Sequence, residues 1–494
     1  MQRRTLLLTG AALGCAFAQG ARSAFAAEKA ELLPADADVV IIGSGAAGLT
    51  AACRAIELGI ERVVVLEKEP FVGGSSIICG GQWAVSGTAM QRRLGIEDSD
   101  ELFVDDMLRT GGGKNDVRLV RRLVQVSRKQ YEWVLARGVK PMSISLASGM
   151  SVPRAHTFDP AAVVNLLLLE ALKGGVRVVV GARASKLLIE NGRIAGVEAR
   201  MAGKRRTIRS RAVLIATGGF SRNKTLMKKY APLMERAARV SGIGSDGDGL
   251  VMVAAIGATL RDMDFITASY GFTMHPSSIR DFTLVYYAGG IILNQKGKRF
   301  VDESIPYKDL GSAALREPGY GTYILFDDEM RRRQMRVRPN DALLWRSIDE
   351  GVIPDYVFRG ETIAQASAAA GLDAEAVQRT VDAYNAQAPI GKDPIGRRSL
   401  SSGYGVPICI EHPPYFIMPA QAGVMGTYCG LVVSPDAEVL DSKGAPIPGL
   451  YAAGEVCGGF HGRSYITGTA FAKANGFGRV AAEEMHRFLK RSLK

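Results

Sequence analysis

The sequence predicts an α/β protein built on a Rossmann-like parallel sheet, and three adjoining observations predict it. An apolar, β-branched run at residues 38–42 leads into Gly43-Ser44-Gly45-Ala46-Ala47-Gly48. Helical spacing follows through Leu58. A second β-branched run, Val63-Val64-Val65-Leu66, then closes on Glu67. Strand, glycine turn, helix and strand in that order make one βαβ unit, the setting in which this glycine spacing has physical meaning.

Each residue type has its reason. Gly43 permits the tight turn, Gly45 lets the backbone approach a pyrophosphate, and Gly48 lets helix and strand pack closely. Ala46 and Ala47 open the helix, where aligned N–H groups and the positive dipole end favour phosphate. Glu67, followed by Lys68, ends the second strand where a carboxylate accepts from ribose hydroxyls. Gly73-Gly74-Ser75-Ser76 offers hydroxyls and N–H groups to a second phosphate stretch. A late buried strand ends in Thr217-Gly218-Gly219, and another near the C-terminus closes on Gly454-Glu455. These added segments select FAD over NAD as the nucleotide.

At 494 residues the chain can bury a large core and form two domains. The net charge of +13 is spread along the chain without a basic block interleaved with aromatics, so it predicts a solvated surface and no nucleic-acid partner. Six scattered cysteines, at 15, 53, 79, 409, 429 and 457, contain no Cys-x-x-Cys; zinc, attached c-type haem and a disulfide framework are not expected. Arg3-Arg4, the apolar run at 5–17 and Ala24-Phe25-Ala26 predict an export peptide of the twin-arginine type over residues 1–27, and hence a periplasmic address. That run is too short for a stable membrane span.

Together these segments resemble the FAD-dependent fumarate reductase and 3-ketosteroid dehydrogenase superfamily, from about residue 38 to 484. Asp246-Gly247-Asp248 and His275-Pro276 fall in the family's order. The resemblance implies a Rossmann-like FAD-binding domain, residues 36–263 and 417–490, split by an α+β capping domain at 264–416. It implies FAD contacts at Ala47, Glu67, Ser75, Ser76, Gly80, Gly81, Ala184, Asp248, Glu455, Thr469, Ala470 and Phe471, with a helix near residues 468–476 facing the flavin. Members that attach FAD covalently carry a histidine before the glycine pair; here Ser75-Ser76-Ile77-Ile78-Cys79 has none, which implies non-covalent FAD.

The departures matter as much. The dicarboxylate enzymes of this family clamp and protonate fumarate with arginines and histidines. Where their His-Gly-x-x-Arg is expected, the chain reads His461-Gly462-Arg463-Ser464-Tyr465. Gly426 stands for a histidine, Tyr307 or Lys308 for the proton-donating arginine, and Leu284 and Tyr287 for the proton path; His275 remains. Tyr465 with the Thr469 N–H instead resembles the ketosteroid dehydrogenases, where such a pair polarises a substrate carbonyl. Tyr307, or one of Tyr286 and Tyr287, is then the proton carrier, and Lys308 or His275 would lower its pKa. Candidate catalytic residues are Tyr465, Tyr307, Lys308 and His275.

The resulting expectation is an enzyme that interconverts C–C and C=C bonds beside a carbonyl-type group on a hydrophobic small molecule. An external electron donor or acceptor, cytochrome c or quinone, would complete the cycle. The alternatives are a respiratory reductase of an unsaturated carboxylate fed by a cytochrome c, and a non-catalytic flavin electron carrier.

Overall fold

A computed structural model describes residues 33–276, 281–401 and 404–491. The expected export peptide and Cys15 lie outside the described residues.

The N-terminal unit forms as its pattern dictates. Strand β1 (Val39–Ile42) enters helix α1 (Ala46–Glu57), which returns to strand β2 (Val63–Glu67). A one-turn helix α2 (Gly74–Ile78) follows. Two later strands, β3 (Arg177–Val180) and β4 (Ala212–Ile215), join the sheet beside β2 and β1. Strands β1, β2 and β4 are almost wholly apolar and buried along their length, as strands covered on both faces must be, whereas β3 is the partly exposed edge.

The chain then leaves this sheet and builds a second. Strands β5 (Ser269–Phe272) and β6 (Ile291–Asn294) precede helix α3 (Tyr307–Arg316) and strand β7 (Thr322–Asp327). Helices α4 (Asp328–Val337) and α5 (Pro339–Asp349) follow, and the long strand β8 (Tyr415–Val424) pairs antiparallel with both β5 and β7. A separate core gathers here around Tyr286, Leu293, Phe326, Trp345 and Ile417.

The last segment returns to the first sheet. Strand β9 (Pro446–Ala452) pairs parallel with β4, giving the parallel order β9-β4-β1-β2-β3, with residues 438–440 antiparallel at the edge. Helix α6 (Thr469–Arg491) then lies across α1. Glycine makes that crossing possible: a Cβ at Gly478 would stand 2.3 Å from the Ala47 carbonyl oxygen. At Gly48 a Cβ would stand 2.0 Å from the Gly43 carbonyl oxygen, so this glycine serves helix–turn packing. Gly43 itself has φ +109°, a conformation open to glycine.

Candidate active site

The C-terminal ends of β1, β2, β4 and β9 open into one cavity of about 1140 Å³. Such sheets bind ligands at these strand ends. Along one wall stand Gly43, Gly45, Ala46 and Ala47, with Glu67, Lys68, Gly74, Ser75 and Ser76 beside them. Gly80, Gly81, Ala184, Thr217, Gly218, Asp248, Gly454, Glu455, Ala470 and Phe471 also line it.

This wall fits a dinucleotide. A Cβ at Gly45 would meet nothing of the protein closer than Ser76 Oγ at 3.5 Å, so the fold itself leaves room at the start of α1. Thr217 Oγ1, at the end of β4, is buried without a hydrogen-bond partner. Glu67 is held rigid: it accepts from Ser44 N at 3.1 Å, Ser44 Oγ at 2.6 Å and Glu69 N at 2.9 Å. The carboxylate thus braces the phosphate turn as well as facing the cavity. Lys68 pairs with Asp246 and, at 3.1 Å, with Asp248; Arg183 also bonds Asp248. Burial alone would raise the Asp248 carboxyl, but these cations hold it below its usual range.

The far end of the cavity is aromatic. Tyr465 and Tyr428 stack with centroids 4.5 Å apart and planes 14° from parallel. Tyr307 completes the group, its hydroxyl 3.1 Å from Thr467 Oγ1. It begins α3 after a loop anchored by Arg299, which forms buried ion pairs with Glu303 at 2.6 Å and Asp393 at 2.7 Å. Behind the stack lies Lys308, with Nζ 3.0 Å from the Tyr465 ring centroid and 3.4 Å from the Tyr465 carbonyl oxygen. Burial pushes this lysine well below its usual range. His461 stands edge-on to both rings, its Nδ1 3.4 Å from Thr469 Oγ1 and its Nε2 buried without a partner. Burial, helped by Lys473 and Lys308, keeps this imidazole neutral.

Tyr465, Tyr307 and Lys308 therefore meet, and His275 does not join them: it is exposed, and its neighbour Pro276 lines the cavity instead. The expected partnership of Tyr465 with the Thr469 N–H is corrected. That N–H closes a turn onto the Ile466 carbonyl at 3.1 Å, and Thr469 does not line the cavity. Tyr286 and Tyr287 are corrected as proton carriers, because their hydroxyls donate to the carbonyls of Tyr270 and Ile305 at 3.1 and 3.0 Å. The expected lowering of tyrosine pKa is reversed as well. Burial pushes Tyr307 up and Tyr465 well up, so both hydroxyls stay protonated at neutral pH.

Sequence reasoning missed Tyr428, although it stands two residues after the missing histidine at Gly426. Tyr428 takes φ +54°, an unusual conformation for an aromatic residue. A Cβ at Gly426 would lie 2.9 Å from the Glu455 carboxylate and 3.3 Å from the Tyr428 ring, so the stacked tyrosine and the histidine compete for one space. Also missed are Lys473 and the cavity-lining arginines Arg222, Arg239 and Arg338, none of which belongs to a recognisable spacing.

A family model described as "FAD binding domain" matches residues 38–470. The chain is 32% identical over 468 residues to the fumarate reductase (cytochrome) of Shewanella frigidimarina, covering 92% of this chain and 78% of that protein. Among solved structures, the open conformation of a flavocytochrome c3 fumarate reductase superposes with TM-score 0.80 at 27% identity, covering 92% of this chain and 79% of that one. The 3-ketosteroid-Δ4-(5α)-dehydrogenase of Rhodococcus jostii RHA1, solved with 4-androstene-3,17-dione, gives TM-score 0.72 at 25% identity, covering 91% and 97%.

Proposed function

We propose that this chain, which belongs to the FAD binding domain family and is an FAD-dependent oxidoreductase of C–C and C=C bonds, reacts through its tyrosine cluster on a substrate bearing a carbonyl-type group. The observation that carries this reading is the stack of Tyr465 on Tyr428, with Tyr307 beside it and Lys308 behind. It closes the same cavity whose other wall suits the nucleotide.

Bound FAD supplies the two-electron oxidation and reduction. Gly45, Ala46, Ala47, Ser75 and Ser76 would hold its phosphates, with no covalent bond to the chain. Tyr465 and Tyr307 remain neutral donors, suited to stabilise negative charge as it develops on a substrate carbonyl oxygen. Lys308 is shielded from water and bonded to no carboxylate among the described residues, and its Nζ beside Tyr465 is the proton donor or acceptor for this end of the cavity. His461 fixes the rings from the side. Residues 264–416 act as a cap, and their Phe282 and Leu284 give the cavity an apolar lining on that side.

Electrons enter or leave through a carrier such as a cytochrome c or quinone. The paired arginines near the N-terminus support a periplasmic setting for this exchange. The test is anaerobic re-oxidation of the reduced holoenzyme by enones, 3-ketosteroids and unsaturated acids. Rapid re-oxidation is expected, and Tyr465→Phe should slow it about 100-fold in both kcat and kcat/KM with an unchanged flavin spectrum. Re-oxidation by none of these compounds, with the flavin still exchanging electrons with small carriers, would favour the electron-carrier reading.

A further inference from the structure

Arg338 sits at the junction of α4 and α5 and lines the cavity from the cap side. Its guanidinium is held along one edge. Nη1 donates to the Phe282 carbonyl at 3.1 Å and to the buried Asp341 carboxylate, and the group stacks 4.2 Å from the Phe282 ring centroid. Asp341 is itself anchored by Thr283, by Leu284 N at 3.3 Å and by Gln334 Nε2 at 3.1 Å, so the guanidinium has a fixed support. The opposite edge, Nε and Nη2, makes no hydrogen bond among the described residues and is not sealed from the cavity. That edge carries three of the five guanidinium donors in the fork that matches a carboxylate.

Two polar side chains nearby, Tyr404 and Gln334, are engaged with each other and with Asp341. Tyr404 donates to Gln334 Oε1 at 2.6 Å, and Gln334 donates to Asp341. Phe282, Leu284, Val337 and Leu343 supply apolar surface around Arg338. The tyrosine cluster and Arg338 line the same cavity, Tyr307, Tyr428 and Tyr465 among its walls.

We propose that Arg338 is a specificity-determining residue that seats an anionic group of the substrate, a carboxylate above all, apart from the carbonyl held by the tyrosines. The substrate is then an amphipathic unsaturated acid: carbonyl and alkene at Tyr465, apolar body against Leu284 and Leu343, carboxylate on Arg338. This rests on the reaction proposed above. It also changes what the missing family arginines mean, because the cavity keeps a guanidinium but supplies it from the cap.

The test pairs an acid with its ester on intact holoenzyme. Calorimetric titration with 3-benzoylpropanoate and with its methyl ester reads binding without turnover. The acid should bind about 10- to 100-fold more tightly, the range for a charge-assisted forked pair. Arg338→Met should bring the two affinities together while leaving that of the ester unchanged. Arg338→Lys, which can keep its contact with Asp341, should reduce the preference to a few-fold and guards against misfolding, with melting temperature and flavin content as controls. A wild type that fails to prefer the acid, because both bind equally or neither binds, overturns the proposal. So does an acid preference that survives in Arg338→Met. Re-oxidation of reduced enzyme by 3-benzoylacrylate separates the two readings. Acid binding through Arg338 without re-oxidation would refute the reaction and leave the anion seat standing, whereas re-oxidation with no acid preference would do the opposite.

Discussion

Lys308 has aromatic faces around its ammonium and no carboxylate bonded to it among the described residues. Desolvation therefore dominates and lowers its pKa well below 10.5. A proton donor with such a pKa loses its proton as pH rises through that lowered value. In the reductive direction the rate should fall through this titration, and in the dehydrogenating direction it should rise. Lys308→Met keeps contact with the Tyr465 ring, so flavin content should be preserved. The variant should lose this limb of the pH profile and slow turnover about 100-fold. The linkage runs the same way for stability. Unfolded lysine binds its proton up to 10.5, so folding stability should rise with pH between the lowered value and 10.5, and the variant should lack that rise. An unchanged pH profile would return Lys308 to a packing role. At this scale the sequence displayed the tyrosines, because Tyr465 stands in a spacing that ordinarily ends in arginine. It hid the direction of their pKa shifts, which depends on burial assembled from distant segments. It hid Arg338 too, which lies in no motif.

The βαβ element was legible almost to the residue, since strand, turn and helix are set by local forces that act within about thirty residues. Its glycines nevertheless do different work, and the structure separates them. At Gly45 an added Cβ meets only ordinary contacts, and at Gly478 it meets the Ala47 carbonyl oxygen at 2.3 Å. Gly45→Ala should leave apoprotein stability near wild type and weaken flavin binding, because the methyl group enters room meant for the cofactor. Gly478→Ala should destabilise the apoprotein by about 1–3 kcal/mol, because α1 and α6 must separate. Chemical denaturation of both apoproteins, alongside flavin titration, distinguishes the two; equal stability loss in both would remove the distinction. The α1–α6 contact itself joins residues more than 400 apart, which is why no local pattern in the sequence announced it.

At the scale of the molecule, the cavity draws its walls from segments at both ends of the chain and from the second core between them. The early βαβ unit supplies the phosphate turn, β9 and α6 supply Gly454, Glu455 and Phe471, and the second core supplies Leu284, Tyr287 and Tyr307. A cofactor in that cavity would join segments from both ends of the chain, so its binding free energy adds to the stability of the fold. The holoprotein should melt above the apoprotein, and the gap should widen as free FAD increases, by about 4 kcal/mol when FAD stands a thousandfold above its Kd. Such a gain corresponds to a rise of several degrees. Riboflavin should not reproduce it, because it leaves the room at Gly45, Ser75 and Ser76 without phosphate and the region at Ala184 without adenine. The proposed non-covalent attachment predicts that acid precipitation leaves the yellow chromophore in the supernatant, and that FAD added to the stripped protein restores the melting temperature. A coloured pellet would establish covalent attachment. Full recovery with riboflavin would show that the phosphate turn contributes nothing to the coupling between the two ends of the chain.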